Sequence, residues 1–309
     1  MRLLLLASLA AAIHVPHGYR VSVYATGLHH PTAIAFGPDD RLYVAQDTGQ
    51  VVSVRSGARG ARPFVRGLTV PLGLLWRGRT LYVSESGKVE AFRAGGGRRT
   101  VVRGLPYGRH QQDTIVAGPD GRLYLGSGST CDACVEDDPR SAAILSFRPD
   151  GSDLRVVATG LRNPYGLVFV KGSLYATVNG RDDLGKNEPA EMVVRIRRGA
   201  DYGWPSCWPG YALRRLIGAC KGVTAPLAYL EPHSSADGIA SWRGDLFVAE
   251  WGEYLSRAHG RRLVRIRGGR ATTFATGFDH PLALAVGPSR ELLVADWGRG
   301  VIYSIAKKP

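Results

Sequence analysis

The chain has 309 residues, 44% of them hydrophobic, with 40 glycines, 18 prolines and a formal net charge of +14 at pH 7. That apolar fraction excludes a disordered chain, and the glycine and proline content calls for many turns between many short strands. The positive charge comes mostly from arginines scattered through every segment with no basic-aromatic block, so it reads as solvated surface rather than a nucleic-acid site.

The first element is Met1-Arg2 followed by an apolar run, Leu3 to Ala12, broken only by Ser8. One basic residue, a short apolar stretch and small residues at Ala10 to Ala12 predict a signal peptide over 1–12, and with it a periplasmic or secreted protein. The run is about half the roughly 20 apolar residues that span a bilayer, and no later stretch is long enough, so no stable membrane insertion is expected.

From there one phrase repeats six times, a signal read before any local one. Each copy has a Gly-Leu-type step, a polar turn, a strand, a Gly-containing turn and a second strand. Copy one runs from Gly27-Leu28 through Ala33-Ile34-Ala35-Phe36 to Leu42-Tyr43-Val44, and copy two holds Gly73-Leu74-Leu75 and Leu81-Tyr82-Val83. Copies three and four carry Ile115-Val116-Ala117 with Leu123-Tyr124-Leu125, and Gly166-Leu167-Val168-Phe169 with Leu174-Tyr175-Ala176. Copies five and six carry Gly238-Ile239-Ala240 with Leu246-Phe247-Val248, and Leu282 to Val286 with Leu292-Leu293-Val294.

Period-two alternation between Gly-Pro-Asp-Gly-type turns is antiparallel strand chemistry. Four strands per unit at spacings of about 40 residues predict an all-β, six-bladed β-propeller with four-stranded antiparallel blades, occupying 17–309 as a single domain. The strand Arg20 to Ala25 has no earlier blade, so it is expected to complete the last one beside Val301 to Ile305. This N-terminal strand would close the ring and remove its exposed edges.

Long insertions follow the third, fourth and fifth repeats, at Ser127–Arg140, Asn179–Pro232 and Glu250–Gly260. Four cysteines sit in the first two, as Cys131 with Cys134 and Cys207 with Cys220. In an exported chain these are expected to form two disulfides closing short loops, although four cysteines allow three connectivities.

Polar residues interrupt the pattern just before the innermost strands, whose equivalent positions converge on a propeller's axis. They are His29-His30, His110-Gln111-Gln112-Asp113, Arg162-Asn163, His233 to Asp237 and Asp279-His280. At Asn179-Gly180-Arg181-Asp182-Asp183 a glycine turn with adjacent carboxylates offers the hard oxygen ligands suited to Ca²⁺.

Gly160-Leu161-Arg162-Asn163-Pro164-Tyr165-Gly166-Leu167, then Ala176 to Asp182, then Tyr202-Gly203-Trp204-Pro205 resemble the soluble quinoprotein glucose/sorbosone dehydrogenase family. Cys131-Asp132-Ala133-Cys134 through Asp138-Pro139-Arg140 is similar to its sorbosone-dehydrogenase branch. The resemblance implies a dehydrogenase that oxidises an aldose or sorbosone-like sugar with pyrroloquinoline quinone (PQQ) and Ca²⁺, and passes the electrons to an external acceptor. It implies His110 as general base and Arg162 as the cation beside the quinone, with Asn163 and Asn179 touching the cofactor. It further implies Gly180, Arg181 and Asp182 at the metal.

The chain departs from the family on the far side of the ring. A lysine and an arginine pair clamp the cofactor there in the glucose-oxidising branch, whereas this sequence has Glu250-Trp251-Gly252 and Asp279-His280-Pro281. Arg261, beside Arg262, is the nearest compensating cation. Two other readings stay open: a non-catalytic propeller binding carbohydrate or protein, and a metal-dependent lactonase-type propeller. The latter needs inward acids, of which Asp237 and Asp279 are the candidates.

Overall fold

The computed structural model describes residues 13–253 and 258–309; the expected signal peptide over 1–12 lies outside the described residues, as do 254–257 of the fifth-blade insertion. Six four-stranded antiparallel sheets are arranged as blades, and no helix among the described residues is long and apolar enough to cross a membrane. From the axis outward, blade one is Pro31–Phe36, Leu42–Gln46, Gln50–Val54 and Arg62–Arg66. Blade three is Gln112–Ala117, Leu123–Ser127, Ala143–Phe147 and Arg155–Ala158, and blades two and five follow the same order. The innermost strand of every blade touches that of the next, and blade six touches blade one, so the ring is closed.

Closure is made by the chain's own start. Tyr19–Ala25 pairs antiparallel with Val301–Lys307, with Val21 opposite Ile305 and Val23 opposite Tyr303, and so forms the outer strand of blade six.

The alternation seen in the sequence becomes a core with two faces per blade. In blade three, Leu123 and Leu125 pack towards blade two with Val89 and Ile115, while Tyr124 packs towards blade four with Leu167 and Ala176. Six such clusters, one between each pair of neighbouring blades, hold the ring. Repeating turns set the register: Gly37 N donates to Arg41 O at 2.8 Å and Gly118 N to Arg122 O at 2.8 Å. The tyrosine two residues beyond each closes on the turn aspartate, as Tyr124 does on Asp120 at 2.8 Å.

Both disulfides form as expected, Cys131 with Cys134 and Cys207 with Cys220. The fourth-blade insertion is narrower than Asn179–Pro232. Glu191–Arg195 and Ala228–Leu230 lie inside that span and are the third and fourth strands of blade four. The true excursion lies between them and holds the hairpin Cys207–Gly210 with Arg215–Gly218, stapled by the second disulfide. Ala190, Met192, Val193 and Val194 are apolar and buried on both faces, which is why the segment joins the sheet.

Candidate active site

His110 stands in the turn leading into blade three's innermost strand. Backbone bonds join this turn to the loop beyond the second strand: His110 N to Ser129 O at 3.0 Å, Arg109 N to Thr130 O at 2.9 Å, and Gly128 N to Gln111 O at 2.8 Å. The ring Nδ1 lies 2.9 Å from Ser129 Oγ, and that hydroxyl donates its single proton to Cys131 O at 2.7 Å. Ser129 is therefore the acceptor and Nδ1 the donor, which leaves the lone pair on Nε2. Burial pushes the His110 pKa down to about 3, with the charges of Arg162 and Arg109 adding to the effect. The imidazole is neutral at physiological pH.

Arg162 is buried at the head of blade four. Its Nε donates to Asp132 O at 2.9 Å, and its Nη2 reaches Asp132 Oδ1 at 2.5 Å and Asp182 Oδ2 at 3.0 Å. Arg109 joins the same pair, with Nη2 2.5 Å from Asp182 and Nε 3.5 Å from Asp132. Asp132 is placed by the Cys131–Cys134 loop, so that disulfide positions the partner of Arg162. Burial raises the Asp132 carboxyl, but the hydrogen bond and charge of Arg162 outweigh it and hold the group below its ordinary range.

Asn163 and Asn179 are neighbours across a short bridge, Asn179 N donating to Asn163 O at 3.1 Å. Both side chains are buried, and each Oδ1 is without a hydrogen-bond partner. Asn179 Nδ2 donates to Asp237 Oδ1 at 3.0 Å. Gly128 matters here: a Cβ on it would fall 2.4 Å from His110 Cβ and 2.7 Å from Asn163 Oδ1, so only glycine lets the two sides approach. Gly180 N donates to the buried Glu191 at 2.6 Å, while Arg181 turns its guanidinium to Asp183 and to Pro205 O.

Behind these groups lies a layer of buried acids. Burial pushes Glu191 up to about 8 and Asp237 to about 7. Asp113 is pushed well above its ordinary value by burial and then by the neighbouring Asp237.

Of the residues expected at a site, His110, Arg162, Asn163, Asn179, Gly180 and Asp182 come together on the blade three and four side. Arg261 does not join them: its Nη1 holds Asp279 Oδ1 at 2.7 Å and Asp279 O at 3.0 Å on the blade five and six side. His233 borders the group, its Nδ1 3.7 Å from Asp182 Oδ1 and its Nε2 3.0 Å from Gly185 O, whereas His280 packs on Trp251 at 4.1 Å between ring centroids and His30 stacks on Trp297 at 3.9 Å. Arg109, Asp132 and Glu191 were not expected. Asp132 stands in the family-like cysteine loop, and Arg109 directly precedes His110, so both positions carried a signal.

A neutral base with a free lone pair and two orphaned amide oxygens, beside arginines paired to Asp132 and Asp182, can accept hydrogen bonds from the hydroxyls of an oxygen-rich ligand and take a proton from it. The fold has many solved relatives. The PQQ domain of pyranose dehydrogenase from Coprinopsis cinerea superposes with a TM-score of 0.82 at 18% identity, over 96% of this chain and 97% of that one. The calcium structure of a Trichoderma reesei carbohydrate-active enzyme of family AA12 gives 0.84 at 16% identity, over 96% and 97%. The PQQ-bound aldose sugar dehydrogenase of Streptomyces coelicolor gives 0.75 at 22%, over 95% and 100%. At these identities the likeness speaks to the fold. No curated protein sequence matches the chain. The glucose/sorbosone dehydrogenase family model, however, matches residues 98–268, more than half the sequence and the blades that carry His110, Arg162 and the Asn179 loop. The chain belongs to the glucose/sorbosone dehydrogenase family.

Proposed function

We propose that this protein is an exported dehydrogenase that oxidises an aldose or sorbosone-like sugar with PQQ and Ca²⁺ and delivers the electrons to an external acceptor. The observation that carries the reading is His110, neutral, with Nδ1 committed to Ser129 and Nε2 open. Bound PQQ supplies the two-electron acceptor and bound Ca²⁺ a Lewis acid beside it.

The residues present fit that pair. Arg162 and Arg109, now paired with Asp132 and Asp182, would turn part of their charge to an anionic cofactor, and the orphaned Oδ1 atoms of Asn163 and Asn179 offer acceptors that the fold leaves unused. Gly180 and Arg181 would supply backbone oxygens, and Asp182 the carboxylate oxygen not held by the arginines, to a hard cation. His110 Nε2 takes the proton of the sugar hydroxyl being oxidised. Arg162, fixed by Asp132, holds positive charge where negative charge develops. Arg261 would act from the opposite side once Asp279 yields it. The signal peptide is assigned to 1–12 and the propeller to 17–309, with the protein in the periplasm or medium, in keeping with its two disulfides.

The test is calorimetric titration of the purified protein with PQQ and Ca²⁺, followed by dye reduction with a panel of aldoses. Stoichiometric binding and sugar-dependent reduction are expected; absence of both sinks the proposal. The Arg261–Asp279 pair favours a second reading, a propeller that binds carbohydrate without oxidising it, and sugar binding without dye reduction would select it.

A further inference from the structure

Directly beneath the groups just described, the six blades present one residue each at the same height. In blades one, three, five and six the innermost strand carries a register shift at this level, between Pro31 and Ala33, Gln112 and Ile115, Ala236 and Ile239, and Pro281 and Ala283. Aligning these four blades on the shifts puts Thr32, Asp113, Asp237 and Leu282 at one level, and the contacts of Gly73 with Asp113 O and of Gly166 with Asp237 O bring Leu72 and Tyr165, the residues just before those glycines, into the same ring. Three of its members, Leu72, Tyr165 and Leu282, pack together across the axis.

The ring is unequal. Leu72 and Leu282 are apolar, and the Thr32 hydroxyl is turned to Pro71 O at 2.6 Å. The arc formed by the consecutive blades three, four and five is Asp113, Tyr165 and Asp237, exposed by only 1%, 7% and 4%. Asp113 Oδ2 and Tyr165 Oη have no hydrogen-bond partner, and among the described residues no lysine, arginine or histidine forms an ion pair with either carboxylate. Asp237 accepts from Asn179 and from Ser235, which leaves lone pairs on both of its oxygens.

Two carboxylates and an unpartnered phenol, shut away from water without a counter-charge, would be costly to keep ionised. Oxygen-only donors of mixed charge match a hard divalent cation, and the flexible coordination of Ca²⁺ suits an irregular arc better than the strict octahedron of Mg²⁺. We propose that Asp113, Tyr165 and Asp237 hold a Ca²⁺ ion at the neck of the channel, tying blades three, four and five together under the floor of the site. This ion is separate from the metal proposed at Gly180 to Asp182 and needs neither quinone nor sugar.

The experiment uses the full-length, quinone-free protein, stripped with chelator and titrated with Ca²⁺ by calorimetry, with bound metal counted by elemental analysis. A parallel titration with Tb³⁺ reads emission sensitised by Tyr165. Tight uptake without PQQ is expected, with a rise in melting temperature, and D113N and D237N should each weaken it by at least about tenfold. Y165F, which keeps both carboxylates, should retain Ca²⁺ but lose much of the sensitised Tb³⁺ emission. D182N removes a ligand of the other proposed metal, so the uptake that persists in it should still be weakened by D113N and D237N. No uptake by the stripped wild-type protein overturns the proposal, as does uptake that D182N abolishes while D113N and D237N spare it. Because no quinone is present, neither result bears on whether the protein oxidises sugars.

Discussion

Burial, reinforced by Arg162 and Arg109, depresses the His110 pKa to about 3, so the imidazole stays unprotonated well below the usual titration range of histidine. The sign is that of a base whose charged form is disfavoured: protons bind only when pH falls far below 6.5. The sugar-oxidising activity should therefore show no acid limb from His110 near pH 6.5 when kcat/KM is followed against pH. Arg109 is about half exposed and contributes by charge alone, so Arg109→Ala should move the acid limb upward. A limb that stays at the same pH in that variant would remove Arg109 from the account. His110→Ala should lower kcat by roughly 10²–10⁴-fold while quinone affinity, read by calorimetry, stays close to wild type. Equal loss of both would make His110 a structural residue.

Two small staples act on different properties of the fold. Cys207–Cys220 joins residues 13 apart and closes the excursion of blade four, so its removal should release chain entropy in the unfolded state. Replacing both cysteines by serine should cost about 3 kcal/mol in urea unfolding. Cys131–Cys134 spans only three residues, but its loop holds Asp132 against Arg162. Serine replacements there should leave the unfolding midpoint nearly unchanged and reduce turnover; the reverse pattern in either pair would contradict these assignments. Much of this element scale is legible from sequence, because period-two alternation and Gly-Pro turns are local and recur six times. The third strand of blade four escaped notice because Glu191 opens it and its outer partner, Ala228–Leu230, comes only after a hairpin excursion. At the site, His110, Arg162 and Asn163 show as polar breaks in an apolar rhythm. Asp113 stands in the same string as His110, yet its equivalence to Asp237 appears only once the bulges align the blades. Glu191 reaches Gly180 across the sheet, a pairing that chain order alone does not announce.

At the scale of the whole ring, closure and buried charge decide stability. Without Tyr19–Ala25 the strand Val301–Lys307 would present an open edge, so a chain beginning after Ala25 should aggregate or lose cooperative unfolding, seen by light scattering and circular dichroism. Charge acts through pH. Burial raises Glu191 to about 8, Asp237 to about 7 and Glu250 to about 7, while the same groups titrate near 4 in the unfolded chain. Between those values the folded state binds more protons than the unfolded one, so stability falls as pH rises. For Glu191 and Asp237 the effect is complete below about pH 4 and is lost as pH climbs through 7 to 8. His110 works in the opposite sense: the unfolded chain takes its proton near 6.5 and the folded chain only near 3, so its contribution weakens the fold in acid. Chelator-treated protein should accordingly unfold at lower urea at pH 8.5 than at pH 5.5. Glu191→Gln keeps the acceptor for Gly180 N but cannot ionise, so it should flatten that decline. An unfolding midpoint that does not fall over this range, or a Glu191→Gln variant with the wild-type slope, would mean that Glu191 and Asp237 find counter-charge in the native ring, as Glu250 does in Arg262.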